Sequence, residues 1–388
     1  MSQSYPDLRI LHRKAIYPAT FGGNLRTLNI AQLAVGVFKH TTIFSMDNTI
    51  DFQGTIAGIP VIQEKELHDG WEKFWYYCNA LVAKELIVPY TKRAFAQAEY
   101  NLFQIEDPLL YPLLKKNNIS RFILDEHNVN WEMYSISQPD MKKRIYGKIA
   151  SRRDKDNEKQ ALLHAAYVLC CSNRDLNVLV NEVPDIEDRI SVIPNCVNIQ
   201  EYEPVYKGPL TDRKPFEKSR VLFVGTMSHP PNADAVRLIC NTIAPQCSDY
   251  EFIIVGKNPP KLPWSENVNL MGYVPDVKPI IADTDICLAP IRSGSGTRLK
   301  ILEYMAMGKP VIATSKGAEG IEYSNGLNII IEDTVEKYPE IIRQLLDDNK
   351  KRAALGHEAR RLIEEKYDWE LYRKLLEKIY QNVAKDMN

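Results

Sequence analysis

DICLAPIRSGSGTRLKILEYMAMGKPVIAT, residues 285–314, contains a complete strand–loop–helix–strand unit. After its first residue DICLAPI is continuously apolar, as a strand covered on both faces requires. SGSG supplies backbone freedom, and the run from Leu299 repeats apolar residues at helical spacing. Gly308 followed by Lys309-Pro310 is a C-terminal stop, after which KPVIAT reads as the next strand. At about 100° per residue, Gly296, Lys300 and Glu303 share one helix face, while Leu299, Leu302 and Ala306 line another.

The charges in this unit are unusual. Arg298 and Lys300 are expected in the first helical turn, where the helix dipole favours Asp or Glu by a few tenths of a kcal/mol. Exposed loop N–H groups and two cations make an anion site, and the carboxyl ends of strands are where open α/β sheets bind ligands. The plainer reading pairs Lys300 with Glu303 on a solvated face. A dinucleotide fingerprint is disfavoured, because Leu299 stands where its third glycine belongs. Asp283-Thr284-Asp285 has the spelling of a metal pair, but Asp285 abuts the apolar run and is expected to cap it; no metal site and no cofactor are expected.

Outward from this unit, strand-like and helix-like segments alternate through the chain. The second half offers RVLFVG (220–225), EFIIVG (251–256) and VNLMGYV (268–274). The first half offers LRILHRK (8–14), a helical pattern over 24–38, HTTIFSM (40–46), YNLFQIED (100–107), RFILDEHN (121–128), YVLCCS (167–172) and RISVIPN (189–195). Such β-branched and aromatic runs separated by helices predict parallel sheets built from βα units. The polar, Pro-containing stretch before Arg220 places a linker at 197–219 between two similar α/β domains, 1–196 and 220–366. A terminal amphipathic helix follows in 367–388.

Bulk properties agree with a soluble globular chain of two domains. Its 388 residues carry a net charge of −1, which gives no global field for nucleic acid. No charged leader precedes an apolar core at the N-terminus, and no apolar run approaches the ~20 residues of a bilayer span. Seven cysteines without a CxxC pair read as reduced thiols, hence a cytoplasmic protein.

Two further loops carry candidate chemistry. Gly22-Gly23 joins the first strand to the first helix, where paired glycines let a ligand approach the backbone or simply make a tight turn. His127, at the carboxyl end of a strand, can hydrogen-bond a ligand hydroxyl or be a satisfied structural histidine.

Taken in order, FGGNLR, DEHN, SNRD, VIPNCVNIQEY, LFVGTMSHPPNADAV, FIIVG, VNLMGYVPDVKPIIADTDICLAPI, GTRLKILEYMAMGKPVIAT and the final DWE helix resemble the retaining glycosyltransferases of family four, of GT-B type. The resemblance implies two Rossmann-like domains facing across a cleft, with the C-terminal helix crossing back to the first. It implies that Arg298 and Lys300 hold the pyrophosphate of a nucleotide-sugar, helped by Gly296 and Thr297. Glu303 would accept from the ribose, Tyr273-Val274 would border the base, and Gly225-Thr226 would lie at the donor. Gly22-Gly23 would approach the phosphates or sugar, and His127 would contact the sugar. Two positions depart from the family pattern: Ser295 replaces the first of two glutamates, and Thr226-Met227-Ser228 replaces an Arg and a Lys. Both fit a GTRLK-type subgroup.

The implied reaction is retaining, metal-independent transfer from a UDP- or GDP-sugar to a glycan or lipid-linked acceptor, as in cell-surface polysaccharide assembly. A GT-B epimerase and a non-catalytic sugar-nucleotide-binding subunit are the alternatives. On the acceptor side, 142–155 has seven basic residues against one acidic, and Trp71, Phe74, Trp75 and Cys78 share a helical face upstream. This suits peripheral contact with an anionic membrane at its inner face; a solvated basic helix beside an ordinary aromatic core accounts for it equally.

Overall fold

The computed structural model describes residues 7–17, 22–47, 51–65, 93–96, 101–133, 154–203, 218–261, 263–294 and 296–385. The chain divides into two compact units, Met1–Pro194 with Tyr372–Asn388, and Asn195–Leu371.

The first unit is built on an eight-stranded sheet. Its strands are β1 (Asp7–His12), β2 (Thr41–Asp47), β3 (Phe52–Ile56), β4 (Ile59–Lys65), β5 (Asn101–Ile105), β6 (Phe122–Glu126), β7 (Tyr167–Cys170) and β8 (Ile190–Val192). The order is β3-β4-β2-β1-β5-β6-β7-β8, parallel except for the antiparallel β3–β4 hairpin at the edge. Central β5 and β6 are buried at every position, including the polar Asn101 and Gln104 of β5 and the acidic Asp125 and Glu126 that end β6. Edge strand β3 is largely exposed, with only Phe52 and Ile56 half-buried, and left no strand signal to read. The first helix is Gly22–Ala34, beginning two residues earlier than its apolar pattern predicts, because it starts on the glycine pair itself. Ser172 caps the helix Asn173–Glu182, its hydroxyl accepting from the Asp175 N–H.

The second unit holds a six-stranded, wholly parallel sheet ordered β11-β10-β9-β12-β13-β14. Here β9 is Arg220–Val224, β10 Glu251–Val255, β11 Val268–Gly272, β12 Ile286–Ala289, β13 Val311–Ala313 and β14 Ile330–Ile331. Counted from β9 this is the doubly wound order 3-2-1-4-5-6. The helix Leu299–Ala306 is pinned onto β9 by the Tyr304 hydroxyl, which accepts the Val224 N–H at 2.7 Å. It ends at Gly308 (φ +63), as its stop signal predicts.

Residues 197–202, inside the stretch read as a linker, pack instead into this unit: Val197 and Tyr202 belong to its core, and the Val197 N–H donates to Tyr367 O. The rest of that stretch, 204–217, lies outside the described residues, as do Trp71–Cys78 and most of the basic run 142–155. The final helix, Trp369–Lys385, lies from Tyr372 onward in the first unit, where Tyr380 is fully buried and meets Phe38 edge-on. Among the described residues no helix is long and apolar enough to cross a membrane, and the six described cysteines are buried free thiols.

Candidate functional site

In the second unit the switch point falls between β9 and β12, and the glycines cluster beside it. Gly225 donates to Val255 O and Gly256 to Gly272 O, both at 2.8 Å. A Cβ on Gly256 (φ +152) would sit 1.9 Å from Gly225 O, so these strand ends meet backbone against backbone. A Cβ on Gly225 would lie 2.8 Å from both Lys300 Nζ and Asn232 Cγ. Lys300 therefore reaches from its helix down onto the end of β9. Its Nζ donates to Asn232 Oδ1 (2.7 Å) and sits 4.1 Å from the Phe223 ring centroid. Asn232 is oriented for this by its amide, which donates to Thr226 O at 2.9 Å.

Arg298 departs from expectation. The helix begins at Leu299, and Arg298 is its N-cap residue in extended backbone (φ −86, ψ 95). Its guanidinium folds back on its own loop, donating to Gly296 O (2.7 Å) and Ser293 O (3.2 Å). Gly294 (φ +93) and Gly296 (φ +81) make that fold possible, since a Cβ on Gly294 would meet Arg298 Nη2 at 3.1 Å. The glycines thus accommodate the cation as well as exposing backbone.

Charge is crowded here. Burial, and then Arg298, push the Lys300 amine down to about 7, with Glu303 pulling the other way. Burial also lowers Arg298, against Glu319. His229, N-cap of the helix Pro230–Leu238, is lowered by burial and then by Arg298 and Lys300. Two cations converge beside a histidine, an arrangement relieved by losing a proton or gaining an anion.

The other expected residues are arranged around this point. Thr297 packs on Gly320 (φ +81), where a Cβ would meet its Oγ1 at 2.6 Å. Glu303 is half-buried, is hydrogen-bonded by Tyr202, and has its carboxyl raised by burial against Lys278 and Lys300. Tyr273 is 55% exposed beneath the Lys257 amine, 4.1 Å from its ring centroid, and Val274 packs on the core. Ser295 lies outside the described residues. Asp285 accepts the Arg220 N–H at 2.8 Å, and Asp283 pairs with the Arg220 guanidinium, so the Asp-Thr-Asp pair ties β9 to β12. His229 and Asn232 went unread in the sequence, although the loss of cations after Gly225 drew attention to that loop.

The first unit has its own polar cluster at the carboxyl ends of β1, β5 and β6. Arg26 is buried and donates to both oxygens of buried Asp125 (2.6 and 2.9 Å) and to Ile193 O. His127 Nε2 lies 2.9 Å from Glu106 Oε2 and 3.4 Å from Asp125 Oδ2. Burial opposes the imidazolium, but hydrogen bonds to Asp125 and Glu106 outweigh it and raise His127 to about 9. Nearby His12 goes the other way, to about 4, from burial, with the His127 charge adding to the shift against Glu106. A Cβ on Gly23 would be 3.2 Å from His127 Nδ1, so the glycine at the helix start gives the ring its place; Gly22 precedes it as the first helical residue. Glu106, Asp125 and His127 bring ligand-type atoms within 4.8 Å of one another. Arg26 already holds both Asp125 oxygens, while Thr27, Gln104 and His127 hold Glu106, so the group reads as a closed hydrogen-bond network.

Two Rossmann-like sheets, each with glycines and polar groups at the carboxyl end of its switch point, define the GT-B class of α/β proteins. The solved structure of sucrose-phosphate synthase from Thermosynechococcus elongatus is similar over 98% of this chain and 100% of that one, with a TM-score of 0.69 and 14% identity. The Anabaena Alr3699/HepE structure in complex with UDP is similar over 98% and 99%, with a TM-score of 0.63 and 14% identity. Residues 218–348, within the second unit, match the family model described as glycosyl transferases group 1. In sequence, the chain is 31% identical over 127 residues to the GDP-mannose-dependent monoacylated alpha-(1-6)-phosphatidylinositol monomannoside mannosyltransferase of Corynebacterium glutamicum. That stretch is 30% of this chain and spans 33% of the relative's length.

Proposed function

We propose that the chain transfers a sugar from a nucleotide-diphosphate sugar to a glycan or lipid-linked acceptor, with retention and without a metal ion. The observation that carries this reading is the convergence of Lys300, Arg298 and His229 at the second switch point without, among the described residues, a compensating carboxylate in hydrogen-bond contact with Lys300. A diphosphate supplies the missing charge. When the bond to the anomeric carbon breaks, negative charge gathers on the leaving phosphate, and fixed cations there stabilise it without reorganisation.

In this reading Arg298 and Lys300 hold the pyrophosphate with the Gly296-Thr297 backbone, and Gly225-Thr226 floor the site. Glu303 takes the ribose hydroxyls, Tyr273-Val274 border the base, and Ser295 lies toward the sugar. For the first unit, the same reading assigns Gly22-Gly23 and His127 to recognition of the sugar. A lipid-linked acceptor is supported by the lipid named in the Corynebacterium relative, and membrane contact through 142–155 belongs with it.

The test is incubation with UDP-, GDP- and ADP-sugars while nucleoside diphosphate release is followed. Release that Arg298→Ala abolishes supports transfer. An altered sugar with the donor intact indicates an epimerase, and binding without turnover in the presence of acceptors indicates a binding subunit.

A further inference from the structure

The hydrogen bonds behind His127 extend well beyond its immediate partners. Glu106 Oε2 accepts from His127 Nε2 at 2.9 Å and from Thr27 Oγ1 at 2.6 Å. Glu106 Oε1 accepts from Gln104 Nε2 at 2.6 Å, and Gln104 Oε1 accepts in turn from the Tyr380 hydroxyl at 2.6 Å. Gln104 and Tyr380 are fully buried and Glu106 nearly so, whereas the His127 side chain is 17% exposed. Tyr380 stands on the terminal helix, 276 residues away from Gln104 in sequence.

The chain of bonds has one consistent direction. The Tyr380 donor occupies the Gln104 carbonyl, which leaves the amide N–H₂ for Glu106. Glu106 thereby stays an acceptor for Nε2–H, and the remaining ring nitrogen, Nδ1, is turned to the Gly23 end of the first helix. A polar chain satisfied at every link holds one geometry, because any flip strands a buried group.

We propose that Tyr380, Gln104 and Glu106 are positioning residues, a buried relay by which the terminal helix sets the His127 ring with Nε2–H inward and Nδ1 toward Gly23. Its effect on turnover rests on the transferase reading above; the geometry does not. The charged and titratable groups bearing on the ring are His12 from β1, Glu106 after β5 and Asp125 from β6, with Arg26 from the first helix and Cys171 after β7 standing behind Asp125.

The experiment uses the full chain labelled with ¹⁵N-histidine, comparing wild type, Glu106→Gln and Tyr380→Phe by NMR. Glu106→Gln keeps the shape and an acceptor but removes an anion, so the His127 midpoint, about 9 in wild type, is expected to fall. A drop of about one unit or more is the threshold. Tyr380→Phe keeps the ring contact with Phe38 and deletes only the hydroxyl. It is expected to speed exchange of the His127 Nε2 proton with water about tenfold. Unchanged titration in the first variant together with unchanged exchange in the second overturns the relay. If both change, kcat of both variants is expected to drop with donor KM nearly constant. If both change while no sugar nucleotide is ever turned over, the relay stands and the transferase reading fails.

Discussion

Raising the pH from about 6.5 to about 8.5 is expected to weaken nucleotide-sugar binding about 25-fold through Lys300 alone. In the free protein the Lys300 amine sits at about 7 because burial and Arg298 disfavour its charge. A bound pyrophosphate restores the charge and raises that value, so binding takes up a proton and affinity falls as pH rises through about 7. With a bound-state value of about 10, the affinity ratio between the two pH values is about (1 + 10^1.5)/(1 + 10^−0.5), close to 2 kcal/mol. Calorimetry at about pH 8 in two buffers of different ionisation enthalpy is expected to show uptake of about 0.9 proton. Phosphates of a sugar diphosphate do not titrate in this range, so the proton belongs to the protein. His127, raised to about 9, also titrates near the upper end of the window, and Lys300→Arg separates it out, because arginine stays charged throughout. Affinity that varies equally with pH in wild type and Lys300→Arg would refute this account of the site.

Asn232→Asp places a carboxylate 2.7 Å from Lys300 Nζ; it is expected to return Lys300 toward its ordinary range, flatten the pH dependence and weaken donor binding about tenfold or more, read by titration calorimetry. Gly225→Ala drives a methyl to 2.8 Å from Lys300 Nζ and Asn232 Cγ; donor affinity is expected to fall with little change in melting temperature, since both neighbours are side-chain ends. Arg26→Met leaves Asp125 buried without its cation, expected to destabilise the first unit by about 3–5 kcal/mol in urea unfolding, while Arg26→Met with Asp125→Leu recovers most of the loss.

How much of this was legible in the sequence depends on which physical signal each feature leaves. The parallel sheets were legible because strands buried on both faces are largely apolar, as ICLA is throughout and FILDE is up to its acidic end. The β3–β4 hairpin was not, because the exposed strand FQGTI buries too little to be patterned. Lys300 was legible as an anomaly of charge at a helix start. The direction of Arg298 was not, because whether a guanidinium points outward or back depends on loop dihedrals that two positive-φ glycines leave open. Asn232 carries no charge and no period, and acquires its role only from Thr226 O on one side and Lys300 on the other. The relay behind His127 needs residues from β5, β6 and the terminal helix together, which no local window contains.

A common principle underlies both clusters, with opposite outcomes. In the first unit the cations of the cluster have counter-charges: Arg26 has Asp125, and His127 has Glu106 and Asp125, so its imidazolium is favoured up to about 9. In the second unit Lys300 has an amide where a carboxylate would satisfy it, and its charge is disfavoured down to about 7. A protein free to choose Asp at 232 stabilises itself at no steric cost, so the neutral Asn leaves stability unused that an incoming anion recovers. The first cluster is therefore suited to holding a ring in place, and the second to binding negative charge supplied from outside the chain.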